Sequence, residues 1–414
     1  MKKIVVLTER FPYPPTSGTK NLLYNYCKIL HNDFGMEVVN ISFKEDGDDV
    51  SLRPDFIKKT YTLPNPSGTA KMKNLLVKTF IQQKYPMQVS LFWDEKVKKI
   101  VDKIVAKEKP DYVIADYVRT TEYLKDFKGF KIADLEDLLS LRYSRQLEAD
   151  LTTINPYGAY LFRLPKPVQS VLQINWVKKC IMKAEVRLMR KFEKDVSNYY
   201  DRVAFVAKQE GRRYDKMVGD KKAIVVPLGV NYEYFSEKVE TEKLPHSIAF
   251  LGAMNVSHNE YGIIHFIKDI FPLVLKKIPD AKLYIIGGGA TQQLKDLASE
   301  NVILTGRVDD VRVAISACDV FVCPLVFGSG IKNKNLESMA MGVPVVTTTI
   351  GAENIDAVDR QDWYISDSNE DFANDVVELM EDEQLREKIG RNGQTFVKNN
   401  FTWKQAEKAF HEVF

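Results

Sequence analysis

Short runs of apolar, mostly β-branched residues recur along the chain, separated by longer stretches in which apolar positions return every three or four residues. The run Ile4 to Leu7 is followed by a Pro-rich loop and then by "TKNLLYNYCKIL", where Leu22, Leu23, Tyr26 and Leu30 share one helical face. Strand, loop and helix form the first unit. The alternation continues through "EVVNISF", the helical "FWDEKVKKIVDKIVAKEK", "DYVIA", "FKIADLED", and "VAFVA" followed by "KQEGRRY". Such a series predicts parallel βαβ units in an α/β domain over residues 1–235.

The stretch "PLGVNYEYFSEKVETEKLPHS" reads as a linker, and a second series follows it over residues 236–399. It runs "IAFLG", a helix around Ile263 to Ile278, "KLYIIGGG", "VILTG", "DVFVCPL", "VPVVTT" and "WYIS". The chain therefore reads as two Rossmann-like α/β domains facing each other across a cleft. A last helix within residues 400–414 carries Trp403, Ala406, Phe410 and Phe414 at compatible spacing. Packing back on the first domain and standing as a plain C-terminal helix both suit it.

The 414-residue length suits two domains, each with a full core. Apolar and charged fractions of 45% and 28% are those of a globular soluble protein. A formal charge of +3 gives no ground for nucleic acid as a partner. Cys27, Cys180, Cys318 and Cys323 are irregularly spaced, which suits reduced thiols in the cytoplasm better than a disulfide frame or a metal site. The apolar run in "MKKIVVLTERFPYPP" is too short for a signal peptide, and no run is long enough to span a bilayer, so membrane contact is expected to be peripheral. Charge alters this picture in one stretch. Residues 163–194 carry nine Lys or Arg against Glu185 and Glu193, a net of +7. There Val177, Ile181, Ala184, Leu188 and Phe192 form one helical stripe, and Lys179, Lys183, Arg187, Arg190 and Lys194 another. Lying on anionic lipid and packing the apolar stripe on its own domain are both open to such a helix.

In open parallel sheets, ligands bind outside the carboxyl ends of strands. After "DVFVCPL" comes "GSGIKNKNLESMAMGVPVV", residues 328–346, with a loop expected over 326–334 and a helix over 335–341. Gly328 and Gly330 allow close backbone approach, the N–H groups of the helix start favour an anion, and Lys332 and Lys334 add full charges. Glu337 falls about one turn into the helix, where a carboxylate can accept from both hydroxyls of a ribose. A helix-start glutamate beside solvent-exposed lysines is the competing reading. Gly287 to Gly289 lack a G-x-G-x-x-G continuation and read as a tight turn lining the ligand side.

This segment resembles the donor-binding segment of glycosyltransferase family 4 and its relatives of GT-B fold, especially sugar transferases of bacterial exopolysaccharide clusters. "PYPPTSGTKNLLYNYCKIL", "DLEDLLSLRYSR", "VVPLGVN", "FLGAMNVSHNEYGIIHFIKDIFP", "TGRVDDVRVAISACDVFVCPL" and "FTW" match other family pieces in order, across nearly the whole chain. The resemblance implies a nucleoside-diphosphate sugar as donor, a polysaccharide or lipid-linked glycan as acceptor, retention of anomeric configuration, and no metal or other cofactor. It puts Glu337 on the ribose. The family's first glutamate falls on Ser329, so recognition of the donor sugar shifts to backbone amides of Gly330 and Ile331. The family's Arg and Lys after the first strand of the second domain are also missing from "GAMNVSHNEYG", apart from His258. Lys334, with Lys332, replaces that charge on the diphosphate, and Gly252, Asn259 and Asn333 join the donor site. Arg307 resembles the nucleobase loop, with a plain surface arginine as the alternative.

From the first domain, Gly18 would bring helix-start N–H groups towards the donor phosphates. Acceptor-side carboxylates are Asp116, Asp134, Glu136 and Asp137, and Asp137 best matches the family's D-x-x-D-x-x-S piece. Asp116 and Asp137 are candidates for activating the acceptor, and Lys334 for stabilising the leaving diphosphate. A cytoplasmic enzyme on the inner face of the cell membrane is expected. A non-catalytic scaffold derived from a transferase, or a nucleotide-sugar epimerase of similar fold, are the alternatives.

Overall fold

The computed structural model describes residues 1–15, 18–45, 47–148, 166, 174–328 and 330–414. They form two compact units, one from the described residues up to Leu228 with Lys404–Phe414, the other from Gly229–Trp403.

The first unit is built on a seven-stranded sheet of β1 (Lys3–Thr8), β2 (Glu37–Phe43), β3 (Ile57–Leu63), β4 (Tyr112–Asp116), β5 (Phe130–Glu136), β6 (Arg202–Phe205) and β7 (Ala223–Val225). The spatial order is β3-β2-β1-β4-β5-β6-β7, and every pairing is parallel. Helices cover both faces of such a sheet, so its strands can be apolar on both sides. In β1, Ile4, Val5, Val6 and Leu7 are accordingly all buried. The C-terminal helix Trp403–His411 sets Phe410 edge-on against Tyr26 of helix Gly18–Asn32, with ring centroids 5.1 Å apart.

The second unit repeats the plan with six strands: β8 (Ser247–Leu251), β9 (Lys282–Ile286), β10 (Val302–Gly306), β11 (Val320–Cys323), β12 (Val345–Thr347) and β13 (Tyr364–Ile365). Their order is β10-β9-β8-β11-β12-β13, again all parallel. The strand order reverses between β1 and β4 in one sheet and between β8 and β11 in the other. These switch points open a crevice at the carboxyl ends of the strands, where side chains from two loops converge.

Candidate active site

In the second unit the switch point lies between the loop after β8 and the loop after β11. The helix after β11 starts at Asn333, earlier than its apolar spacing predicts, because its first turn is polar and the buried stripe of Leu336, Met339 and Ala340 begins only later. Gly328 and Gly330 adopt φ of 148° and 73°, backbone that favours glycine, so both glycines serve the turn itself. Lys332 is not a solvent-exposed lysine. It is 6% exposed, and its Nζ donates to the Gly330 carbonyl at 2.6 Å.

Lys334 is held more elaborately. Its Nζ donates to Asn259 Oδ1 at 2.6 Å and lies 4.4 Å from the centroid of the Phe250 ring. Asn259 is buried in the first turn of helix Ser257–His265, and its Nδ2 donates to the Ala253 carbonyl at 3.1 Å. Residues from β8, from the helix after it and from the helix after β11 thus meet around one ammonium. Burial pulls the Lys334 pKa below the usual lysine range. Burial also pushes the Glu337 carboxyl up to about 7, against the pull of Lys334. An anion beside Lys334 would favour the charged form of the lysine.

Glycines bring the neighbouring loops together. A Cβ on Gly252 would lie 2.9 Å from Asn259 Nδ2, and one on Gly287 would lie 1.9 Å from the Gly252 carbonyl oxygen. Arg307, exposed after β10, lays its side chain over Gly288, with Nε 3.2 Å from where a Cβ would stand. Gly252, Asn259, Arg307, Gly330, Ile331, Lys332, Asn333, Lys334 and Glu337 thus all lie on the loops and helix starts at this carboxyl edge. Ser329 lies outside the described residues.

The first unit holds the other predicted residues. Gly18 opens helix Gly18–Asn32 after β1. Asp116 ends β4, Asp134 and Glu136 lie at the end of β5, and Asp137 follows. Asp116 is fully buried and neither of its oxygens makes a hydrogen bond of ordinary geometry with a described residue. Burial, then the charges of Glu136 and Asp134, raises its pKa far above the carboxylate range. Burial likewise raises Asp134 to about 7 and Glu136, with help from Asp134 and Asp137, to about 8. Burial, joined for Asp116 and Glu136 by the neighbouring carboxylates, makes these carboxyls hold protons towards neutral pH. Asp137 stands apart, paired with Arg142. Tyr117 and Glu136, which border the cluster, have left-handed φ of 66° and 57°, backbone strain of the kind that gathers at functional sites.

A match to the family model described as glycosyl transferases group 1 covers residues 245–382, which include every one of these donor-side loops. This domain is a glycosyl transferases group 1 domain. The chain is a glycosyltransferase. It is 22% identical to an uncharacterized 44.6 kDa protein in the cps region of Klebsiella pneumoniae, over 100% of this chain and 99% of that one. It is 28% identical to the capsular polysaccharide biosynthesis glycosyltransferase CapM of Staphylococcus aureus, over 44% of this chain and 52% of CapM. Anabaena Alr3699/HepE, solved in complex with UDP and glucose, superimposes with a TM-score of 0.65 at 13% identity, covering 100% of this chain and 99% of that one. The fold is GT-B.

Within the transferase, the basic stretch takes a form its sequence does not announce. Arg163 lies outside the described residues; the described helix is Asn175–Val196. Leu188 and Phe192 of its apolar stripe are buried, and Met189, Phe192 and Val196 join the core of the first unit. The C-terminal part of that stripe therefore packs on its own unit, while Val177, Ile181 and Ala184 stay half-buried. Glu185 and Glu193 are buried too. Glu185 Oε2 accepts the Met87 N–H at 2.7 Å, and Glu193 Oε1 accepts the Ser140 N–H at 2.9 Å, so each caps the start of another helix. Lys179, Lys183, Arg187, Arg190 and Lys194 stay exposed.

Proposed function

We propose that the transferase moves a sugar from a nucleoside-diphosphate sugar to a hydroxyl of a polysaccharide or lipid-linked glycan, at the cytoplasmic face of the membrane. The observation that carries this reading is the Lys334 ammonium, fixed by Asn259 in the first turn of a helix whose N-cap residue makes no side-chain capping hydrogen bond. Glu337, in the next turn, would accept from the ribose hydroxyls, and Arg307 over Gly288 would edge the base. The UDP and glucose in the HepE complex, and the capsular role named for CapM, support this class of donor and acceptor.

As the bond from the anomeric carbon to the diphosphate breaks, negative charge grows on the leaving oxygen. Lys334 and the helix-start amides stabilise that charge, which is where preorganised groups lower a barrier most. Lys332 and the amides of Gly330 and Ile331 would hold the remaining phosphate and the donor sugar. Cationic side chains and amides supply the charge compensation a divalent ion gives elsewhere, so turnover needs no metal. The leaving phosphate oxygen takes the proton of the acceptor hydroxyl on the same face, and the configuration is retained.

Purified protein titrated with UDP, GDP and other nucleoside diphosphates should bind at least one. The matching sugar nucleotide should then release that diphosphate when acceptor is added, with a chelator present. Absence of binding to every nucleotide would end this reading.

A further inference from the structure

We propose that helix Gly68–Asn74 and its continuation Leu75–Ile81, with the neighbouring cationic face of helix Asn175–Val196, form a docking surface for an anionic lipid bilayer. The proposal deepens the reading of a lipid-linked acceptor and rests on it only for the acceptor's location.

The first observation is an apolar row that the described residues leave about half exposed. Met72, Leu76 and Phe80 recur every four residues, one face of a helical segment, and are 42%, 52% and 46% exposed. Ile81 extends the row at 76%. Single exposed apolar residues are ordinary, but a contiguous row on one helix marks a contact surface.

The second observation is charge, and it selects the occupant. From Gly68 to Lys84 the sequence holds Lys71, Lys73, Lys78 and Lys84 and no acidic residue. Beside it runs helix Asn175–Val196, joined through the hydrogen bond from Arg187 to Gln83 Oε1 at 2.6 Å and through Glu185 on the Met87 amide. Phe80 shares a small cavity with Ile181, Ala184 and Leu188 of that helix. Within helix Asn175–Val196, Glu185 and Glu193 are buried as caps of other helices, and Asp195, half-buried in the last turn, is the one other acid beside the exposed Lys179, Lys183, Arg187, Arg190, Lys191 and Lys194. A predominantly cationic face beside exposed Leu, Phe, Ile and Met is the pattern that seats a helix at the boundary of headgroups and acyl chains. A protein partner or a second copy would have to be strongly acidic, whereas the second copy carries this same cationic face.

The test is sedimentation of the full chain with phosphatidylcholine vesicles, with and without phosphatidylglycerol. Wild type should bind the mixed vesicles and bind pure phosphatidylcholine weakly. The double substitution Leu76→Asp and Phe80→Asp should cut binding by about tenfold or more, with the far-ultraviolet circular dichroism unchanged. If that variant fails to fold, Lys73→Glu with Arg187→Glu replaces it and should give a similar loss at low salt. Equal binding by wild type and variants, or none by wild type, overturns the proposal. So does a dimer in sedimentation equilibrium that the Asp substitutions dissolve, because a second copy then covers the row. Nucleotide binding measured on the same samples separates the two readings: its loss in wild type ends the transferase mechanism above and leaves the vesicle result standing.

Discussion

The ammonium of Lys334 lies 2.6 Å from the amide oxygen of Asn259, a residue 75 positions earlier in the chain. The contact joins the helix after β8 to the helix after β11 and aims a buried cation into the switch point of the second sheet. Removing it tests the donor site directly. Lys334→Met keeps the side-chain bulk and the contact with Phe250 but deletes the charge. Nucleoside-diphosphate affinity should fall by about 1.5–3 kcal/mol, the worth of a charge-assisted hydrogen bond, or roughly ten- to a hundred-fold by calorimetry. Thermal stability without ligand should hold or rise, since burying an ammonium opposes folding. A parallel loss of stability and affinity would make Lys334 a structural residue instead.

Nucleotide binding should depend on pH in two limbs. Glu337 ionises at about 7, so its hydrogen bonds to a ribose strengthen as pH rises through that value. Lys334 has its pKa lowered by burial, so at alkaline pH it loses the proton that attracts phosphate. The affinity profile should therefore be a bell. Glu337→Gln should flatten the acid limb and leave the alkaline limb in place. Because bound phosphate draws the lysine back to its charged form, binding on the alkaline side should take up protons, visible as a buffer-dependent calorimetric enthalpy.

The buried carboxyls of the first unit make stability depend on pH in the unusual direction. Asp134 and Glu136 titrate at about 7 and 8 in the folded chain, whereas unfolded carboxyls titrate near ~4. The folded state therefore binds more protons between these values. Its stabilisation is fully present below about pH 4 and is lost as pH rises through 7 and 8. Measured against wild type in urea melts, Asp134→Asn should gain on the order of 2 kcal/mol of stability between pH 5 and pH 8. A wild-type profile that is flat from pH 5 to pH 8 would remove the shared-proton account.

Strands were the most legible part of this chain. A run such as Ile4 to Leu7 is apolar at every position because helices cover both faces of its sheet, and that signal is local. The glycine and lysine turn was legible as a loop at a strand's carboxyl end for the same reason. Glu185 and Glu193 were not. In sequence each reads as a counter-charge on a basic helix, and only the fold reveals Met87 and Ser140 amides waiting for them. Nor could spacing show that Lys334 is buried against Phe250, or that Asp116 and Asp134 compete for protons, since both depend on what surrounds a residue in space. The exposed row of Met72, Leu76 and Phe80 has the period of an ordinary core-facing helix, and sequence cannot tell which apolar face finds a partner.

Two glycines at the same edge should respond differently to alanine. Gly287 has φ of 131°, and its Cβ would stand 1.9 Å from the Gly252 carbonyl oxygen. Neither the strained dihedral nor a clash with backbone can be relieved by a rotamer, so Gly287→Ala should cost more than about 2 kcal/mol of folding stability. At Gly252 the added Cβ meets Asn259 Nδ2 at 2.9 Å, a side-chain atom that can move away. Moving it breaks the bond to the Ala253 carbonyl and lets go of Lys334. Gly252→Ala should therefore cost little stability, under about 1.5 kcal/mol, while lowering nucleotide affinity nearly as much as Lys334→Met. The two substitutions combined should be no worse for binding than Lys334→Met alone, because both act through one ammonium. Full additivity would mean that Gly252 serves the ligand by a route independent of Asn259 and Lys334.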